Sequence, residues 1–362
     1  MKVADLVLAM EAIAPTRFAA PWDNVGLLVG DPERALGRVL LTIDCTRAVL
    51  AEARRDGADA VVAYHPPLFE AQKRFVAGSV AYDAARAGVA VYSPHTALDV
   101  AAGGTNDVLA DALGMSGRAP LRAVEPPDAE LKLVTFVPAE HVEAVSRALF
   151  DAGAGRIGEY SRCSFRAAGT GTFLGGEGTH PVVGEAGKLE EAAELRLETV
   201  VPVACVEAVV RALRGAHPYE EPAFDLVRLA GAPAGLGFGR VGTVDRASVR
   251  ALAERAKAAL GAEQVLVAGP LDREVTRAAV CAGSAGDLVR DAVAAGAGLL
   301  LTGELRHHDA LAAVDAGLAV VCTRHSTSER AALVPLERRL GALLPGVAVT
   351  RSTEDREPFA FA

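Results

Sequence analysis

Three strand-like runs in this chain end in residues that can hold a cation. The first, GADAVVA (57–63), exits into Tyr64, His65, Pro66 and Pro67 instead of the Gly, Asn or Asp turn that normally follows such a run. The two prolines make a stiff, extended segment that holds His65 in place. The second run, GVAVYSPHTALD (88–99), and the third, GLAVVCTRHSTSE (317–329), both end in His-x-x-x-acid: His95 with Asp99, and His325 with Glu329. Imidazole nitrogen beside carboxylate oxygen is a donor mix that suits first-row divalent metals. Glu304, in TGELRHH (302–308), closes a fourth run, with His307 and His308 just downstream.

Each of these stretches also has a purely structural reading. Ser326 with Glu329 forms a capping-box pattern, and Thr96 with Asp99 approximates another. Such a cap contributes about 1 kcal/mol to a helix and needs no metal. His65 taken alone reads more readily as a hydrogen-bonded strand-end histidine than as a ligand. Glu304 reads as a charge favoured at a helix N-terminus, or as a contact to a ligand's surroundings. The histidine that precedes the cap in both halves tips the balance toward coordination. Capping and coordination are also compatible, because Glu329 can do either with different rotamers.

The elements that must position these residues are themselves repeated. DGADAVVAYHPP (56–67) corresponds to AGAGLLLTGELRHH (295–308): helix end, glycine turn, buried strand, polar cluster. The N- and C-terminal parts are therefore expected to form one α/β domain of two similar lobes. Ligands of α/β sheets bind beyond the carboxyl ends of the strands, where His65, His95, Asp99, Glu304, His325 and Glu329 all fall. GGTND (103–107) reads as a glycine turn and helix cap close to Asp99. PWDNVGLLVG (21–30) holds the only tryptophan and reads either as a turn with Trp22 packed beneath it, or as a turn in which Asp23 or Asn24 orients a ligand.

Two Pro/Gly-rich stretches, SGRAPLRAVEPPD (116–128) and LAGAPAGLGFGRVG (229–242), mark off a middle unit. The expected division is 1–125, 126–240 and 241–362. Inside the middle unit VPAEHVEAVSRAL (137–149) matches VPVACVEAVVRAL (201–213), each copy a helix opened by proline after a β-rich run. Strand-helix-strand twice over is expected to give an inserted ferredoxin-like α+β domain. AGTGTFLGGEGTHPVVGEAG (168–187) lacks the G-x-x-x-x-G-K-[ST] of a phosphate loop and reads as a hairpin or loop. HPYEEPAFD (217–225) holds His217, Glu220 and Glu221, but a proline-flanked edge strand accounts for it.

Composition narrows the function classes. Of 362 residues, 51% are hydrophobic and 23% charged, which predicts a packed soluble protein. The formal charge is −9 with no Lys/Arg cluster, which argues against nucleic acid as a partner. Five scattered cysteines with no Cys-x-x-Cys argue against a zinc ribbon and suit the reducing cytoplasm. The start, MKVADLVLAMEAIAP, reads as an amphipathic helix and not a signal peptide. No apolar run approaches the roughly 18 residues of a membrane span.

WDNVGLLVG (22–30), YHPPLF (64–69), HTALDVAAGGTND (95–107), TGELRHH (302–308) and RHSTSE (324–329), in this order, resemble the NIF-three-like dinuclear metal-centre family, also called GTP cyclohydrolase I type 2 homologs. The middle unit with its HPYEEPAFD is similar to the CutA/PII-like insert of longer family members. The resemblance implies a homo-hexamer, a trimer of dimers, with a pair of metals in each subunit facing an internal cavity. It also assigns residues. The second histidine of the family's His-His-Pro motif falls on His65, its aspartate ligand on Asp99, its C-terminal histidine on His325 and its bridging glutamate on Glu329. His65 and His325 would serve one metal, Asp99 the other, and Glu329 both.

The first histidine of that motif falls on Tyr64, a departure from the pattern. The second site would then have Asp99, Glu329 and Tyr64, and a phenol with a free pKa of about 10 is a poor ligand unless the metal helps to deprotonate it. His95 could compensate from the neighbouring loop. The resemblance thus implies one or two divalent ions per subunit, of the zinc, iron or manganese kind. Two functions are open: a metal-dependent hydrolase of a small nucleotide or phosphoester-like substrate, with His95 or Glu304 transferring protons; or a non-enzymatic metal-binding, regulatory assembly whose insert senses a ligand.

Overall fold

The structure, a computed structural model, describes residues 1–124, 130–179, 181–229 and 235–360. The chain divides into two compact units: Met1–Val124 with Ala234–Ala362, and Glu125–Pro233. The expected first boundary, at 125/126, lies outside the described residues. The expected second one, at 240/241, falls inside a strand.

In chain order the first unit begins with β1 (Gly26–Val29), β2 (Arg38–Thr42), β3 (Ala60–Ala63), β4 (Ala90–Ser93) and β5 (Ser116–Ala123). The second unit holds β6 (Glu130–Val137), β7 (Phe165–Leu174), β8 (Leu189–Pro202) and β9 (Phe224–Arg228). The first unit resumes with β10 (Gly237–Ser248), β11 (Leu266–Ala268), β12 (Glu274–Ser284), β13 (Leu299–Glu304), β14 (Ala319–Cys322) and β15 (Ala348–Arg351).

Two sheets make up the first unit. One has the order β1-β4-β3-β2-β15, the other β11-β14-β13-β12-β10-β5. β2, β3 and β4 run parallel, and β1 lies antiparallel against β4. β12, β13 and β14 are likewise parallel, with β11 antiparallel against β14. The repeat legible in the sequence is therefore a repeat of topology. Strands β3 (AVVA) and β4 (AVYS) are buried throughout, and β13 is buried until Glu304. Parallel strands covered by helices on both faces need such continuous apolar runs.

The lobes do not follow the expected division, because each lends a strand to the other's sheet. β15, near the C-terminus, pairs in parallel with β2. Helix Leu333–Leu343 packs Leu333, Leu336 and Leu340 against Leu6, Met10 and Ile13 of helix Val3–Ile13. Conversely β5, from the first segment, pairs antiparallel with β10 of the second sheet. β5 is the SGRAPLRA stretch expected to be a divider. Its Pro120 is tolerated because β5 is the edge strand, where a missing N–H costs no internal ladder bond. Gly237–Arg240, likewise expected to lie outside this domain, opens β10.

A buried cation ties these segments together. Arg240 is 2% exposed. It donates to both oxygens of Asp107, at 2.9 and 3.0 Å, and to the carbonyls of Gly237, Gly239 and Ala101. Asp107 also accepts from the N–H of Gly103, so the GGTND turn does more than cap helix Thr105–Ala112.

The second unit runs strand-helix-strand-strand-helix-strand, with helices Val142–Asp151 and Val206–Ala216 and an antiparallel sheet of order β7-β8-β6-β9. This is the ferredoxin-like pattern. Each repeated copy makes a single 3-10 turn after its proline, Ala139–His141 and Val203–Cys205, before the helix starts. The glycine-rich stretch closes the β7–β8 hairpin, and HPYEEPA leads into the edge strand β9. His217 there is structural: its Nδ1 accepts from the Tyr219 N–H at 3.1 Å, so its Nε2 donates to the Phe136 carbonyl at 3.0 Å. Burial lowers its pKa further, which keeps it neutral. Among the described residues, no helix is long and apolar enough to cross a membrane.

Candidate metal centre

His65 sits just past the end of β3. The ladder continues two residues beyond that strand, with Tyr64 and His65 N–H groups donating to the carbonyls of Thr42 and Ile43, until Pro66 and Pro67 end it. The imidazole is thereby fixed. Its Nδ1 lies 2.9 Å from Asp44 Oδ1 and its Nε2 3.3 Å from Glu329 Oε2.

His325 and Glu329 arrive on helix His325–Arg330, which rests on the ends of β12 and β13. Glycines allow this approach. A Cβ on Gly303 would stand 2.9 Å from His325 Cα and 2.7 Å from Ser328 Oγ. One on Gly283, at φ +61°, would stand 2.7 Å from Glu329 Oε1 and fill the space between the donors. Ser328 Oγ donates to the His325 carbonyl at 2.7 Å and accepts from Gly283 N–H at 2.9 Å. Arg324, before the helix, holds φ 75° and ψ 151°, a conformation close to glycine-only that costs about 1–3 kcal/mol. The strain turns His325 inward: its Nδ1 meets Glu304 Oε1 at 3.1 Å and its Nε2 meets Glu329 Oε1 at 3.2 Å.

Glu329 is 2% exposed, and its Oε2 has no hydrogen-bond partner. Burial opposes its ionisation, but the imidazoles of His325 and His65 outweigh that and lower its pKa. Burial likewise opposes protonation of His65, yet Asp44 and Glu329 raise its pKa to about 10. Contact with Glu329, aided by Glu304, raises that of His325 to about 9. His65, His325 and Glu329 offer donor atoms all within 4.8 Å of one another. Both histidines turn Nδ1 to a carboxylate and Nε2 inward, the arrangement by which outer carboxylates orient metal-binding imidazoles. The orphaned Oε2, the facing Nε2 atoms and the Cβ-free glycine fit a divalent cation. The capping alternative does not hold, because neither helix His325–Arg330 nor helix His95–Val100 has a side-chain cap. Ser326 bonds Glu357 and Thr96 bonds Asp23.

Asp99 and Tyr64 adjoin this group but engage each other: the Tyr64 hydroxyl donates a short hydrogen bond to Asp99 Oδ1. Burial, reinforced by Glu329, raises Asp99 to about 6 and lifts Tyr64 well above its ordinary value. Asn106 braces the segment, donating to the Asp99 carbonyl at 3.0 Å and accepting from Ala282 N–H at 2.9 Å.

His95 opens its helix at φ 26°, strained backbone for a non-glycine residue. Its Nδ1 lies 2.8 Å from Asp23 Oδ1, while Asp23 Oδ2 accepts from the Thr96 N–H and hydroxyl. Burial raises the Asp23 pKa, but His95 and Thr96 outweigh it and the net shift is downward. The His95 ring is 5.4 Å from that of His65 and 6.1 Å from that of Trp22, centre to centre. Trp22 is not packed beneath its turn; it is 64% exposed, with its ring against Phe69 and His95. The turn instead buries Asp23, whose carboxylate meets four donors: the N–H groups of Asn24 and Thr96, the Thr96 hydroxyl and His95 Nδ1.

Glu304 ends β13 as the outer partner of His325. His307 and His308 are exposed, with their rings against each other, and neither joins the donor group. Asp44, Gly283 and Ser328 help to build this centre without standing out in the sequence, whereas Asp23 does stand out there as a possible ligand-orienting residue. Asp44 alone carried a usable signal, an acid just past the end of β2 where the strand-end rule looks. A cavity of about 380 Å³ opens beside His65 and His325, walled by Arg324, Gln264, Leu266, Leu305 and Phe359.

The Duf34/NIF3 (NGG1p interacting factor 3) family model matches residues 1–358. The chain belongs to that family. It is 38% identical over 368 residues to the GTP cyclohydrolase 1 type 2 homolog of Mycobacterium tuberculosis, covering 98% of this chain and 96% of that one. To the Bacillus subtilis protein of the same name it is 36% identical, covering 98% and 97%. Among solved structures, a Bacillus cereus protein related to NIF3 aligns over 100% of this chain and 99% of its own, with a TM-score of 0.68 and 33% identity. Family membership and the mixed α/β fold of several sheets thus agree with the motifs that carried the resemblance.

Proposed function

We propose that this NIF3-family chain is a divalent-metal-dependent hydrolase of a nucleotide or another small phosphoester. One observation carries the reading: two imidazoles, each backed by a carboxylate, turn Nε2 to the buried Glu329 carboxylate, His325 to Oε1 at 3.2 Å and His65 to Oε2 at 3.3 Å. His65, His325 and Glu329 would hold the ion, and a His₂Glu set is a donor set of catalytic zinc sites that keep an open position. A divalent ion held there supplies Lewis-acid polarisation and acidifies water. His95 is the proton acceptor of this reading, because its Nδ1 is committed to Asp23 and Nε2 is the nitrogen left to act. Asp44 and Glu304 orient the ligating histidines. The cavity beside His325 receives the substrate, with Arg324 at its wall. The names of the relatives put GTP ring opening among the reactions to test.

A second reading, a regulatory metal-binding assembly, is favoured by a cavity of about 660 Å³ in the second unit, lined by Phe136, Phe173, Arg196 and Tyr219. There the CutA/PII-like insert would sense a small ligand. Under either reading we place the protein in the cytoplasm as a homo-hexamer.

Elemental analysis of purified protein, with Glu329→Ala and His325→Ala alongside, is the test. Metal in the wild type that both variants lose supports the reading, and a nucleotide and phosphoester screen then separates hydrolase from regulator. Unchanged metal content in Glu329→Ala refutes the coordination.

A further inference from the structure

We infer that this chain holds a single divalent cation, and that the Tyr64–Asp99 pair occupies the place a second one would take. The inference rests on the metal-binding reading above and adds its stoichiometry. Donor atoms are limiting. Both Nε2 atoms turned toward Glu329 belong to one cluster, and Asp99 is not part of it. Asp99 Oδ1 already accepts the Tyr64 hydroxyl, so Oδ2 is the carboxylate oxygen left for an ion. Where the family motif brings an imidazole nitrogen, this chain brings a phenol oxygen hydrogen-bonded to Asp99.

Tyr64 cannot swing aside. It is 1% exposed and packed in the same cluster as Val62, Tyr92, Ala97 and Leu98. Its backbone is pinned on both sides, with its carbonyl accepting from Ser93 Oγ at 2.8 Å and from the His95 N–H at 3.2 Å. His95 commits its Nδ1 to Asp23 and is not part of the donor cluster.

Each carboxylate has its own partner: Glu329 lies in the donor cluster and Asp99 outside it. One ion with two imidazoles answers Glu329, and the phenol's hydrogen bond answers Asp99 without a further cation. Breaking a buried hydrogen bond of this kind leaves both groups unsatisfied, which is the costly outcome for buried polar atoms. A two-metal clamp on attacking and leaving oxygens is then closed to this protein. The Tyr64–Asp99 hydrogen bond fills that point instead of a second Lewis acid.

The test is a zinc titration of full-length protein against a chromophoric chelator, for wild type, Asp99→Asn, Tyr64→Phe and Tyr64→His. One ion per chain in the wild type, and still one in Asp99→Asn and Tyr64→Phe, are expected. Tyr64→His, if folded, should gain a second ion. Two ions in the wild type, falling to one in Asp99→Asn, overturn the inference and leave metal binding standing. A folded Tyr64→His that still takes one ion also overturns it. No ion in the wild type sinks the metal-binding reading itself.

Discussion

Replacing Asp44 by asparagine keeps an acceptor 2.9 Å from His65 Nδ1 but removes its charge, so it isolates the electrostatic part of the outer contact. Outer partners of metal-binding histidines are worth about 10–100-fold in affinity, or about 1.4–2.7 kcal/mol. The Asp44 side chain is 43% exposed, so solvent screens it and the lower end applies to Asp44→Asn, about tenfold. Asp44→Ala also frees the ring to rotate, and approaches the upper end. Glu304 stands farther from its histidine, at 3.1 Å, and is 59% exposed, so Glu304→Gln should cost a few-fold at most. Competition with a chromophoric chelator at fixed pH gives the three affinities, and thermal melts of the ion-free proteins check folding. An Asp44→Asn affinity within twofold of wild type, while Glu329→Ala loses the ion, would falsify the carboxylate-backed-imidazole argument. A larger loss in Glu304→Gln than in Asp44→Asn would refute the ranking by exposure.

Three further outcomes are expected. With His65 at about 10 and His325 at about 9 in the ion-free protein, both imidazoles carry a proton at pH 7, so zinc binding releases close to two protons. Calorimetry in buffers of different ionisation enthalpy counts them, and a value near zero refutes the pairing. Asp107→Ala strands the buried Arg240 guanidinium and should destabilise by about 3–5 kcal/mol in urea denaturation; a cost under about 1 kcal/mol would mean water reaches that site. Glu52, 2% exposed, accepts from Ser352 and Thr353 near the C-terminal strand. Those hydrogen bonds outweigh its burial and lower its pKa from 4.5 to about 2. A lowered carboxylate pKa contributes stability that is present above 4.5 and lost as pH falls toward 2. The stability gap between wild type and Glu52→Gln should therefore be full at pH 7 and shrink below pH 4.5, and a gap that stays constant with pH refutes it.

Local sequence carried much of this protein. Apolar runs closed by His-x-x-x-acid placed His95, Asp99, His325 and Glu329 at strand ends, because strand length and the polar exit are both local properties. The doubled VPxxxVEAV pattern gave the helices of the second unit, and its glycine-rich hairpin lacked a phosphate-loop signature for the same local reason. Partnership was not local. SGRAPLRA looks like a linker residue by residue, and becomes strand β5 only because β10 offers it an edge. β15 sits beside β2 because helix Leu333–Leu343 finds its apolar partner in helix Val3–Ile13, at the opposite end of the chain.

The same division runs through the metal centre. Residue type and strand-end position determined from sequence alone which side chains could serve as ligands, and that Tyr64 stands where a histidine is usual. Only tertiary structure decided which of them meet. His307 and His308 share the donor chemistry of His325, yet the helix they open turns them to solvent. Asp44 and Asp23 became partners of His65 and His95 through contacts spanning 21 and 72 residues. Coordination depends on atoms a few ångströms apart, and those distances are set by the packing of helices on glycine-bearing strand ends, which sequence spacing does not encode.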